Sequence, residues 1–273
     1  TVATGRFPYY TTIDPLLAYP FGHSGGRPPL LSMSAIGFSK LLSPFMSEMN
    51  AVGYSMAFVP ALFGALLVFP VYFIGKKLFG RKAGILSALL IAIIPIEISS
   101  GHGSAFGLFD HDSINLLCYF LVFLFMILSI KEKDRMRSIL YALLGGVALA
   151  ALCLTWVDAM FLYTVITIYV VVQLFFDIFM KKIEERFVLN MFLIMITGVL
   201  VSLPVTAARG ELVSLPLYLA IGVLAFGVLC ILFKRRQIPW IISIPSIGII
   251  AGVALVALYV VYHLPSQPSV LGP

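Results

Sequence analysis

Gly107-Leu-Phe-Asp-His-Asp-Ser-Ile-Asn-Leu-Leu-Cys-Tyr-Phe-Leu-Val-Phe-Leu-Phe-Met-Ile-Leu-Ser-Ile130 decides how the rest of the chain is read. Residues 113–130 carry no charge and are long enough for a membrane-spanning helix, which takes about 17–25 apolar residues. The six residues before them hold two carboxylates and an imidazole. Ionisable groups beside a bilayer are costly unless they stay near water or find partners. Asp110 and Asp112, one residue apart at one membrane face, therefore read first as a metal or phosphate site.

The same pattern extends in both directions. The chain has 273 residues, 61% hydrophobic and only 11% charged, with a mean hydropathy of +1.06. A soluble domain carries about 25% charged residues. Eight segments qualify as spans: 51–75, 83–99, 113–130, 138–155, 157–178, 187–207, 214–233 and 239–262. Basic residues cluster in alternate connections. These are Lys76, Lys77, Arg81 and Lys82; Lys131, Lys133, Arg135 and Arg137; Lys181, Lys182 and Arg186; and Lys234, Arg235 and Arg236. Together they are 14 of the 18 Lys and Arg. The positive-inside rule places these four connections in the cytoplasm, and residues 1–50, 100–112 and 263–273 outside. Leu30 to Ser43 is apolar but short and contains Lys40. A ninth span there would move every basic cluster outside, so this segment reads as a helix lying at the outer interface. The expected fold is an all-α polytopic transmembrane helix bundle, eight spans and an outer interfacial helix, with residues 1–50 an outer loop, 51–262 the bundle and 263–273 the start of a later loop.

Several function classes lose support. The net charge of +6 sits in short loops between spans and is no nucleic-acid footprint. Cys118, Cys153 and Cys230 lie in apolar segments without C-x-x-C spacing, so they read as small buried hydrophobes. No acid or base lies deep in a span. Asp177 is near an inner end and Gln173, one turn before it, is neutral. Proton relays and ion pathways place such groups mid-membrane, which argues against a transporter. An inverted repeat is not evident either.

The candidate chemistry lies at the outer face. Hard divalent cations take carboxylate oxygens and keep waters for a phosphate-bearing substrate. Asp110 is the leading candidate for such a ligand. Asp112 has two readings, second ligand or N-cap of the following helix, since Asp caps well. His111 reads as a solvated loop residue or a ligand. His102, in the glycine-rich approach Ser99-Ser-Gly-His-Gly-Ser-Ala-Phe-Gly107, reads as an anion contact or as part of a hydrated turn. Asp158, in the tight connection Leu154-Thr-Trp-Val-Asp158, either faces the same outer cavity or lies exposed among headgroups, beside Trp156 as an interfacial anchor.

These residues, in this order, resemble the catalytic subunit of oligosaccharyltransferase, most closely its archaeal form, a membrane glycosyltransferase of GT-C type. Phe109-Asp110-His111-Asp112, with Gly107 upstream, resembles the family's second acidic motif. Phe7-Pro-Tyr-Tyr…Ile13-Asp-Pro-Leu-Leu-Ala-Tyr-Pro-Phe-Gly22…Pro28-Pro-Leu30 resembles the distal part of its first outer loop, and Thr155-Trp156 its Trp-bearing outer turn. The eight spans then correspond to the second through ninth of the family. The chain reads as an excerpt, with the first acidic motif expected before Thr1 and the acceptor loop and soluble domain expected after Pro273. Such an excerpt alone would be inactive. Many members carry Arg about seven residues before the acid equivalent to Asp110, where this chain has Gly103 beside His102.

The resemblance implies a metal-dependent reaction at the outer face of an archaeal plasma membrane. An oligosaccharide passes from a polyprenyl (dolichyl) phosphate or pyrophosphate carrier to Asn of an Asn-x-Ser/Thr sequon in an acceptor protein. Asp110 would be catalytic and, with Asp112, would bind Mn2+ or Mg2+. His102, His111 and Asp158 would contact substrate. The alternatives are another GT-C enzyme using a lipid-phosphate sugar and, from a different class, a polytopic transporter.

Overall fold

A computed structural model of the chain describes residues 13–14, 23–24, 29–93, 107, 109–156, 159–208 and 214–249. Among them the architecture is helical: α1 (Leu30–Leu42), α2 (Glu48–Phe79), α3 (Arg81–Ile93), α4 (Asp112–Lys131), α5 (Arg135–Cys153), α6 (Met160–Met180), α7 (Glu185–Ala208) and α8 (Ser214–Arg235). A shorter helix, α9 (Trp240–Ile249), follows. Two two-residue strands, Ile13–Asp14 and His23–Ser24, pair antiparallel and are the only strands among the described residues. Six helices, α2 and α4 to α8, are long and apolar enough to cross a membrane. α3 overlaps the second expected span and α9 falls within the eighth; residues 94–99 and 250–262 of those spans lie outside the described residues. The first span is longer than its apolar run suggests. α2 has 32 residues and keeps Pro60 and Pro70 buried within it, where neighbouring helices satisfy the backbone groups that proline frees.

Short connections join α2 to α3, α4 to α5 and α7 to α8, and each of these pairs packs as sequential neighbours. Gly80, at φ 94, reverses the chain between α2 and α3, a backbone angle that disfavours any residue with a Cβ. The two helices then touch so closely that a Cβ on Gly84 would stand 2.8 Å from the Tyr72 carbonyl oxygen. The centre of the bundle is α5, packed between α4 and α7. Gly146 makes this possible: a Cβ there would lie 2.8 Å from the Ile194 carbonyl oxygen. Small residues let backbones approach where lipid supplies no hydrophobic drive between helices. Val122, Leu149, Met191, Ile194 and Met195 fill this centre without exposure. Phe69, Phe161, Phe176 and Leu200 point outward, as the lipid-facing side of such a bundle requires.

The four basic connections meet at one end. Lys131 Nζ donates to the Lys77 carbonyl at 3.1 Å. Arg186 Nη1 donates to the carbonyls of Glu132 and Lys133 at 3.0 and 2.8 Å. Lys234 Nζ reaches the Ile183 carbonyl at 2.6 Å, and Arg235 pairs with Glu185 at 2.6 Å. Each connection is thus stitched to another by a basic side chain capping carbonyls of a neighbouring loop.

The opposite end gathers α1, the start of α4 and the end of α5. The Leu30 N–H donates to the Leu154 carbonyl at 2.8 Å. α1 buries Leu31, Ala35 and Ser39, four residues apart, while Leu41 stays exposed. Its 13 residues, at 1.5 Å rise, reach about 20 Å, short of the roughly 30 Å hydrocarbon core.

Candidate functional site at the acidic end of the bundle

α4 begins at Asp112, and the residue at its N-cap is His111, with φ −90 and ψ −8 and no side-chain capping bond. The capping reading of Asp112 is therefore corrected: Asp112 sits inside the first turn. An acid there is still favoured, by about 0.3–1 kcal/mol from the helix dipole. The turn at His111 also answers a geometric difficulty. Residues i and i+2 on a regular helix point about 200° apart. Asp110 lies before the helix, so the chain folds its carboxylate back toward Asp112.

His111 joins the two acids. Its backbone N–H donates to Asp110 Oδ1 at 2.7 Å, and its ring Nδ1 stands 2.6 Å from the same oxygen. Ring Nε2 lies 3.9 Å from Asp112 Oδ1. It is accordingly no freely solvated loop residue. One carboxylate oxygen from each acid and one ring nitrogen all lie within 4.8 Å of one another. The side chains are 27% exposed for Asp110, 20% for His111 and 33% for Asp112. They are open enough to receive a ligand and sheltered enough for charge to act strongly. Two hard oxygens and an imidazole are a donor set that divalent cations such as Mg2+, Mn2+ or Zn2+ accept.

Polar groups follow the acids in the first turns of α4. Ser113 and Asn115 are buried, and neither Ser113 Oγ nor Asn115 Oδ1 has a hydrogen-bond partner among the described residues. Sequence reasoning took both as ordinary parts of a span. The signal it passed over is Asn115, three residues after Asp112 and so on the same helical face. One turn further, Tyr119 meets Trp156 edge-on, with ring centroids 6.1 Å apart, which ties the acidic end of α4 to the turn after α5. Gly107 approaches from the other side at φ 92, and its N–H donates to the Ala57 carbonyl in α2 at 3.1 Å. The structure thus brings Asp110, His111, Asp112 and Trp156 to one end. His102 and Asp158 lie outside the described residues.

Comparison with known proteins shows the family and the fold. The family described as "Oligosaccharyl transferase STT3, N-terminal" matches residues 10–268. The chain is 24% identical over 218 residues to the dolichyl-monophosphooligosaccharide–protein glycotransferase AglB of Haloferax volcanii, covering 73% of this chain and 20% of the relative. It is 34% identical over 94 residues to dolichyl-phosphooligosaccharide-protein glycotransferase 3 of Archaeoglobus fulgidus, covering 33% of this chain and 10% of that relative. The chain thus spans a fifth or less of the length of these relatives. In fold it is similar to the A. fulgidus oligosaccharyltransferase in complex with Zn and sulfate, with a TM-score of 0.76 and 19% identity over 93% of this chain and 34% of that one. It is also similar to A. fulgidus AglB in complex with an inhibitory peptide and a dolichol-phosphate, with a TM-score of 0.72 and 20% identity over 92% and 31%.

Proposed function

This chain belongs to the oligosaccharyl transferase STT3 family, and on that premise we propose that it forms the donor-holding part of a membrane glycosyltransferase. The proposed reaction moves an oligosaccharide from a dolichyl-type phosphate or pyrophosphate to the side-chain nitrogen of Asn in an Asn-x-Ser/Thr sequence. The bond from the anomeric carbon to the carrier phosphate oxygen breaks, a bond to the amide nitrogen forms, and the proton that this nitrogen gives up ends on the departing carrier phosphate. The observation that carries the reading is the convergence of Asp110, His111 and Asp112 within 4.8 Å, at the end of the bundle opposite its basic connections. The names of the relatives, protein glycotransferases using dolichyl-linked oligosaccharide, support it.

Each residue has a role in this proposal. Asp110 would be the catalytic carboxylate and a ligand of a divalent cation, Mn2+ or Mg2+, and Asp112 would be the second ligand. When bound, that cation offsets phosphate charge and polarises the reacting groups. His111, whose ring nitrogens face both acids, holds the Asp110 carboxylate in one orientation and offers a contact to the donor. His102 and Asp158 are assigned to substrate contact from the sequence alone. A lipid-facing bundle suits a donor whose tail is apolar and whose phosphate lies at the surface. The acidic end is proposed to face outside an archaeal plasma membrane, because the basic connections would face the cytoplasm.

The test uses the full-length protein that contains this chain, a dolichyl-linked glycan and a peptide bearing Asn-x-Thr. Glycopeptide should appear by mass spectrometry. It should vanish with EDTA, return with Mn2+ or Mg2+, and be absent with Gln in place of Asn. Transfer undiminished by chelation would remove the metal from the mechanism, and transfer to the Gln peptide would remove the proposed acceptor.

A further inference from the structure

At the basic end of the bundle, a whole helix length from the acidic cluster, α6, α8 and α9 enclose a cavity of about 650 Å³. Its walls are of two kinds. Lys181, Lys234 and Gln237 supply polar groups, while Phe179 and Trp240 form an apolar side, their ring centroids 5.2 Å apart. Local backbone fixes the polar side. Lys181 ends α6 in a left-handed conformation, φ 55 and ψ 29, and Gln237 turns the chain after α8 at φ 53. Lys234 is held in place through its bond to the Ile183 carbonyl at 2.6 Å.

The charged side chains that line this space are basic. Among the described residues lining it there is no Asp or Glu. Two acids nearby act on Lys234 electrostatically, but each has a closer partner: Glu185 pairs with Arg235 at 2.6 Å, and Asp177 accepts from Gln173 Nε2 at 2.9 Å. Glu184 stands in the same loop as Lys181 and Lys182. The first turn of α9 opens onto the cavity through Pro239 and Trp240. The first N–H groups of a helix have no partner within it and carry the positive end of its dipole. Two lysines and a helix start therefore converge on one volume. The apolar side continues outward, since Ile241 and Phe179 are exposed.

We propose that this cavity binds the headgroup phosphate of an anionic phospholipid in the leaflet at the basic end. The phosphate lies between Lys181 and Lys234, and the acyl chains follow Phe179, Trp240 and Ile241. The lipid then joins α9 to α6 and α8. A free phosphate would use the lysines and leave the aromatic wall uncovered, so the lipid fits the whole cavity and the free anion only its rim. Basic residues at a membrane surface attract anionic headgroups individually. Here two of them share a pocket with an aromatic wall.

The experiment takes the full-length protein in detergent micelles. It is titrated with phosphatidylglycerol, with phosphatidylcholine of the same chains, and with inorganic phosphate as competitor, and bound lipid is counted by native mass spectrometry. Wild type should bind phosphatidylglycerol about tenfold more tightly than phosphatidylcholine. The double variant Lys181→Asn, Lys234→Gln should lose that preference. Lys181→Asn alone should lose part of it, because Asn tolerates the left-handed backbone there and so keeps the fold. Lys82→Gln, which removes an equal charge outside the cavity, should leave it unchanged. Equal binding of the two lipids by wild type, or an unchanged preference in Lys181→Asn, overturns the proposal. Displacement of phosphatidylglycerol by inorganic phosphate at equal concentration overturns the lipid as occupant.

Discussion

His111 stands between two acids, and its sequence context allows both a solvated spacer and a ligand. The structure places its ring against Asp110 Oδ1 at 2.6 Å and turns its other nitrogen toward Asp112. A residue that orients a ligating carboxylate is worth about 10–100-fold in metal affinity or activity. His111→Ala should therefore raise the Mn2+ concentration for half-maximal transfer by at least about tenfold, with maximal activity largely recovered at saturating metal. An unchanged metal requirement would reduce His111 to a spacer. The acidic pair itself was legible from sequence, because charge beside lipid is rare enough to carry meaning. The start of α4 was not legible to within a residue. Asp, Ser and Asn all serve as caps, and the chain instead places His111 in that position. The polar pair Ser113 and Asn115 was hidden by the apolar run around it.

Helix pairing depends on a few small residues rather than on apolar content, which every span shares. Gly145-Gly146 signals a close neighbour in sequence, but not which one. The structure names α7 through Ile194 and Thr197. Gly146→Val places branched atoms where a first Cβ already lies 2.8 Å from the Ile194 carbonyl oxygen. Overpacking of this kind costs about 1–3 kcal/mol, so the variant should unfold at lower temperature in detergent than wild type, by a scanning-fluorimetry shift of several degrees. Gly53→Ala on α2, where a Cβ meets nothing within 4 Å, should shift it little. Equal stability of Gly146→Val and wild type would mean that α5 and α7 are not in this contact. Span lengths were less legible than span existence. The basic ends of α2 and α5 continue as helix into their polar loops, so each helix outruns its apolar core.

At the scale of the molecule, the alternation of basic connections was the most legible feature, and the structure gathers all four at one end through side-chain to carbonyl bonds. Which side of the membrane that end faces follows from the positive-inside rule. In intact cells, a Cys introduced as Lys133→Cys should resist an impermeant thiol reagent and react after permeabilisation, and labelling from outside would invert the topology. The family was legible through the order of its motifs, whereas His102 and Asp158 sit in connections where periodicity gives no guidance. The central claim is that the acidic end of this bundle performs metal-supported glycan transfer, and Asp110→Asn in the full-length protein tests it most directly, since it removes a charge at nearly constant shape. Measured by glycopeptide formation at limiting Mn2+, transfer should fall to background while expression and thermal stability match wild type. Transfer at the wild-type rate under those conditions would contradict the account.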